Sequence, residues 1–247
     1  MYQLSVFQWL IVSLAAVMIG VSKTGIAGGG VLAIPLMAHV LPARASTGVV
    51  LPMLIFADLF AVTYYRRQAS WPHLWRVIPP ALAGICTGYL IMGVISDRQL
   101  QPFIGLVIIT MLGLNWWRKR RAEDIRVPDR WWFSSGLGFL AGVTTMLANA
   151  AGPIMVIYLL SVKLPKLTFI GTAAWYFFIL NWVKVPLSAN LGLINPDSLR
   201  FNLLLLPLVT LGALAGIFIL KKIPERVFTR VVELLATAAA LKLLLTF

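Results

Sequence analysis

Three stretches of this chain, Val77–Ser96, Gln99–Trp117 and Phe201–Leu220, contain no charged residue, and a fourth, Ala45–Tyr65, contains only Asp58. Each is about as long as the ~20 helical residues that cross a hydrocarbon core. Runs of this length, repeated along one chain, make the bilayer the solvent in which it folds. Composition agrees: 60% of residues are hydrophobic and 12% charged, roughly half the charge of a soluble domain. The first apolar run has no basic flank and no small-residue cleavage site, so it reads as a membrane segment and not as a removable signal peptide. The single cysteine, Cys86, excludes an intramolecular disulfide and a C-x-x-C redox pair. It is expected as a small buried apolar side chain.

The net charge of +13 would suggest nucleic acid in a soluble protein. In a membrane protein, basic residues collect on the cytoplasmic side, and no nucleic-acid partner is expected. The densest run, Arg118–Arg121, follows Trp116-Trp117 and lies between two apolar halves. It reads as a cytoplasmic linker.

The halves resemble each other. Shifted by 122, Gly20 falls on Gly142 and Gly28–Gly30 on Ala150–Gly152. Shifted by 123, Gly48 falls on Gly171 and Asp58 on Asn181. Shifted by 128, Pro79, Gly84 and Gly88 fall on Pro207, Gly212 and Gly216, and Ser70 on Ser198. The order of these matches along the chain implies a duplication. Apolar segments at about 4–22, 30–41, 46–64, 74–94 and 99–117 are answered by 131–147, 152–162, 168–188, 203–220 and 227–246, with boundaries good to a few residues. The domains are a first membrane repeat, 1–117, a basic linker, 118–130, and a second repeat, 131–247.

The second segment of each half is too short to span alone. Either the first two segments form one broken crossing, or they form a hairpin that enters and leaves on one side. Basic residues separate the two. With a hairpin and an outside start, Arg66, Arg67, Arg76, Arg118, Lys119, Arg120, Arg121, Arg126, Arg130, Lys163, Lys166, Lys221, Lys222, Arg226 and Arg230 lie inside, and Arg44, Arg98, Lys184 and Arg200 outside. That is 15 against 4, whereas the broken crossing gives 11 against 8. The positive-inside rule favours the hairpin. The expected fold is therefore an all-α integral membrane protein of two inverted repeats. Each repeat is a broken, re-entrant helix pair followed by three transmembrane helices. Trp9 on the outer face and Trp131-Trp132 on the inner face suit interfacial anchors.

Irregular backbone at membrane depth survives only where protein or a water-filled cavity satisfies it. The first break, in Gly20–Pro35, carries Lys23 and the glycines Gly28, Gly29 and Gly30. A helix restarting near Gly30 would present free N–H groups and partial positive charge, which favour anions. The second break, Thr144–Pro153, carries Thr144, Thr145 and Asn149, with Pro153 suited to a new first turn. Paired discontinuous helices are a transporter signature. Ser22, Lys23, Thr24, Gly28, Gly29, Gly30, Thr144, Thr145, Asn149 and Gly152 are the candidate substrate-binding residues. The bland alternative for the glycines is helix packing, and for Lys23 snorkelling from a helix end. Gly84-x-x-x-Gly88 and Gly212-x-x-x-Gly216 have no polar company and read as packing surfaces.

Asp58 is an acid within a spanning segment and the candidate proton carrier, the alternative being a hydrogen bond to broken backbone. Its counterpart, Asn181, cannot ionise. Glu233 reads as solvated or Arg-paired, and His39 and His73 as surface residues. No metal-ligand cluster and no phosphate loop ending in Gly-Lys-Ser/Thr appears. No cofactor is expected, and ATP-driven pumping is disfavoured.

GVSKTGIAGGGVLAIPL at Gly20–Leu36, the Ala45–Gly48 stretch and the Gly142–Leu160 stretch, which ends in ANAAGPIMVIYLL, resemble the sulfite exporter TauE/SafE family, also called the toluene-sulfonate uptake permeases. The resemblance runs over nearly the whole chain. It implies a multi-pass permease of the bacterial inner membrane that moves small anions, typically sulfite or organosulfonates. The expected function is secondary transport of such an anion by alternating access, with protons as a possible coupling ion. The competing class is a membrane-embedded enzyme or assembly factor. It lacks a paired-cysteine, metal or nucleophile constellation.

Overall fold

The computed structural model describes residues 4–24, 33–120, 131–162 and 164–219. Among them are nine α-helices and no strand: α1 (Val6–Thr24), α2 (Ala33–Val40), α3 (Ala43–Tyr65), α4 (Trp71–Val94), α5 (Asp97–Arg120), α6 (Trp131–Ala148), α7 (Gly152–Ser161), α8 (Lys166–Asn190) and α9 (Pro196–Ile219). Four of these, α1, α3, α4 and the Pro196–Gly216 part of α9, have the length and apolarity to cross a membrane. The glycines Gly28–Gly30, the linker at 121–130, and the expected final segment with Lys221 and Glu233 lie outside the described residues.

Helix boundaries follow local chemistry. Ser5 and Gln8 form a reciprocal cap at the start of α1, Gln8 Oε1 accepting from Ser5 N and Ser5 Oγ from Gln8 N. Gln99 Oε1 likewise accepts from Ser96 N ahead of α5, and Asn195 and Ser198 exchange bonds ahead of α9. Each arrangement satisfies backbone donors that a helix N-terminus leaves free. Pro42 and Pro165 stand immediately before α3 and α8. The Asp97 carboxylate accepts from Arg44 N at 2.7 Å, which ties the start of α5 to that of α3.

The exterior is apolar. Leu90, Val94, Trp75, Leu203 and Leu211 are exposed, as they should be where hydrocarbon is the solvent. Cys86 joins them on the outer face of α4. This corrects the expectation of a buried thiol: in lipid an exposed position is as welcoming to a small apolar side chain as a buried one. Trp131 and Trp132 are exposed at the start of α6. Trp9 is half-buried and packs on Phe201, with ring centroids 5.4 Å apart. The helix α3 is the most enclosed of the four spans: 72% of its most apolar stretch is buried, against 33–39% for the other three.

Two helix pairs approach closely through glycine, and they are reciprocal. In the α4–α6 pair, a Cβ at Gly84 would run into Phe139 O, and one at Gly142 into Ala81 O. In the α1–α9 pair, a Cβ at Gly20 would run into Val209 O, and one at Gly212 into Val17 O. Gly20 and Gly142 are counterparts, as are Gly84 and Gly212. The first helix of each half thus packs on the helix of the other half that carries its small-x-x-x-small pair, as expected where apolar solvent leaves close backbone approach to hold helices together. The packing role expected of Gly84, Gly88, Gly212 and Gly216 is what the structure shows: all four are buried against the facing helix.

Candidate functional site

The end of α1, the middle of α3, the C-terminus of α6 and the middle of α8 meet in a buried polar centre. Lys23 sits in the last turn of α1, where the helix dipole favours a cation. Its Nζ lies 2.7 Å from Asp58 Oδ1 and 4.4 Å from the centroid of the Phe177 ring. Asp58, on α3, is fully buried. Its other oxygen, Oδ2, accepts from Asn181 Nδ2 at 2.7 Å. The carboxylate therefore has an ion pair on one oxygen and an amide donor on the other. The snorkelling expected as an alternative for Lys23 does not occur, because its ammonium turns inward to a carboxylate.

A second chain of contacts starts three residues along α8. Lys184 is 1% exposed. Its Nζ donates to Thr145 O at 3.0 Å, Thr145 Oγ1 at 3.1 Å and Asn149 Oδ1 at 2.6 Å. Of the candidate binding residues, Thr145 lies in the last turn of α6 and Asn149 in the break between α6 and α7. Asn149 has φ +53°, the left-handed conformation that commonly ends a helix and that Asn tolerates better than most residues. Its N–H bonds Thr145 O at 3.0 Å. Its side-chain Nδ2 reaches α3, donating to Thr47 O at 3.0 Å. One amide thus ends α6, holds a lysine of α8 and touches α3.

The position of Lys184 corrects its place in the outer set of basic residues. It is a buried group of the centre, so the hairpin count becomes 15 against 3 and the broken-crossing count 10 against 8. The sequence carries a signal for it: Lys184 falls inside the apolar segment 168–188, three residues after Asn181, on the same helix face.

Among the remaining candidates, three hydroxyls turn away. Ser22 Oγ bonds Ile19 O, Thr24 Oγ1 bonds Ala213 O on α9 at 2.8 Å, and Thr144 Oγ1 bonds Leu140 O. Gly152 opens α7. Among the described residues there is no group of three or more His, Cys, Asp and Glu arranged to hold a metal. His39 is exposed, and His73 is half-buried beside Tyr158.

The family model for the sulfite exporter TauE/SafE matches residues 12–243. The chain belongs to the sulfite exporter TauE/SafE family. No curated protein and no solved structure matches it. Membership makes this TauE/SafE protein a multi-pass membrane protein of a family that transports sulfur anions. The matched range takes in Lys23, Asp58, Thr145, Asn149, Asn181 and Lys184, so the buried polar centre lies wholly within the family's shared region.

Proposed function

We propose that this protein is a secondary transporter of sulfite or an organosulfonate, and that the Lys23 centre is its substrate site. The observation that carries the reading is the half-buried Lys23 side chain, paired with the buried Asp58 carboxylate and placed in the last turn of the apolar helix α1. The glycines Gly28–Gly30 continue the chain from that point. Their restart as a helix N-terminus would offer N–H groups to the same anion, and Asn149, Thr145 and Gly152 would face it from the second break. The two halves act as inverted repeats that rock about this centre. Reciprocal glycine packing of α1 on α9 and α6 on α4 supports the repeat relationship, and the 15-to-3 distribution of basic residues supports inversion.

Asp58 gives the site a means of coupling to protons. While ionised it occupies Lys23. A proton on Asp58 removes the ion pair and leaves the ammonium free for an oxyanion. Anion and proton then favour each other's binding and cross in the same direction.

The test is binding of sulfite to purified protein in nanodiscs. A charge-assisted hydrogen bond contributes roughly 1.5–3 kcal/mol, or about 10- to 150-fold in affinity. Lys23→Gln should weaken binding by that order. A folded Lys23→Gln protein that binds sulfite with native affinity places the site elsewhere.

A further inference from the structure

Among the described residues the polar centre holds two lysines, Lys23 and Lys184, and one carboxylate, Asp58, whose partners are Lys23 and Asn181; with all three ionised it is one negative charge short. Lys184 has only neutral hydrogen-bond partners, and it is buried to the depth of the apolar core. Its three acceptors match the three N–H groups of a protonated amine. A buried charge without a counter-charge is costly, and an ionisable group at membrane depth is a functional group by default. What holds Lys184 is the carbonyl end of α6, where the helix dipole is negative, together with the Asn149 side chain.

We propose that Lys184 is a second anion-binding residue, and that a single negative charge on the substrate is the counter-charge the centre lacks. The inference rests on the reading that this centre takes a sulfur oxyanion, and it adds the residue and the charge class. The oxyanion takes the Lys184 ammonium from Asn149 and Thr145. Occupancy therefore unties α8 from the break between α6 and α7, so the same contact that binds substrate also loosens the broken helix. With Asp58 ionised and paired to Lys23, the centre is short of one charge, which a sulfonate monoanion supplies at Lys184; a proton then taken up by Asp58 releases Lys23 to the same anion.

Methanesulfonate binding in nanodiscs tests this, with thermal unfolding of the empty protein measured alongside. Lys184→Gln should weaken binding roughly 10- to 150-fold, while the empty protein unfolds at the same or a higher temperature because an uncompensated buried charge has gone. A purely structural lysine would give the opposite pair of results: native affinity and a lower unfolding temperature. Asn149→Asp provides an independent variant, since it places a carboxylate against Lys184 and supplies the missing charge internally. It should bind methanesulfonate more weakly than Asn149→Gly, which removes the same Thr47 contact without adding charge. If Lys184→Gln does not fold, equal affinity of Asn149→Asp and Asn149→Gly overturns the proposal. Native affinity in Lys184→Gln together with loss in Lys23→Gln also overturns it while leaving the site reading intact. Native affinity in both variants removes the site reading as well.

Discussion

Asn181 donates its side-chain amide to Asp58 at 2.7 Å, and the two residues, 123 positions apart, fall on each other when the two halves of the sequence are matched. In the inverted-repeat arrangement proposed above, such a contact falls near the pseudo-two-fold axis; it also puts the ionisable member of the pair, Asp58, beside Lys23.

The Asp58–Lys23 pair is buried on the carboxylate side, and Lys23 keeps 14% exposure. Removing one partner of a buried pair costs about 3–5 kcal/mol, and the residual exposure of Lys23 favours the lower end. Asp58→Asn and Lys23→Gln should each lower the unfolding temperature, and the double variant should be more stable than the sum of the two losses allows. A double-mutant cycle in detergent reads the coupling; strict additivity would mean the ions do not stabilise one another.

The same Asp58→Asn variant separates coupling from passage. It should lose uphill transport driven by a pH gradient and keep exchange of substrate for substrate. Native uphill transport by folded Asp58→Asn protein would take Asp58 out of the coupling.

Glycine substitutions distinguish packing from tolerance. A Cβ at Gly84 meets the backbone of α6, which cannot yield as a flexible side chain could, whereas a Cβ at Gly136 meets nothing within 4 Å. Gly84→Ala should destabilise by about 1–3 kcal/mol. Gly136→Ala should be neutral or stabilise by up to about 1 kcal/mol, because glycine is the poorer helix former. Thermal unfolding of the two variants side by side checks the contrast.

The helix break was legible at Pro153 and Asn149, and Asp58 stood out as an acid in an apolar run. Lys184 was harder to read, since a lysine near the end of an apolar segment has the pattern of a loop charge; only its contacts with Thr145 and Asn149, more than thirty residues back in the same half, show it turned inward. Small hydroxyls misled in the other direction. Ser22 and Thr144 sit beside the breaks, but such side chains reach their own helix carbonyls three or four residues back, and both do so here. The glycine pairs were legible because close helix approach in lipid selects small residues at a four-residue spacing. Cys86 was not, because sequence alone gives an apolar residue no preference between the core and the lipid.

Topology is open to direct labelling. In a Cys86→Ser background, needed because that thiol is exposed, a cysteine at Arg66 should react from the cytoplasmic side and one at Arg200 from the outside. Reaction of both from the cytoplasmic side would match the broken crossing, with parallel repeats.

The central claim, that this chain by itself moves a sulfur oxyanion, is tested most directly by radiolabelled sulfite uptake into liposomes containing only the purified protein. The expected result is saturable uptake above that of empty liposomes, acceleration by an inwardly directed proton gradient, competition by methanesulfonate, and a loss of apparent affinity in Lys23→Gln. Uptake indistinguishable from empty liposomes, with folded protein and with gradients of either direction, would contradict it.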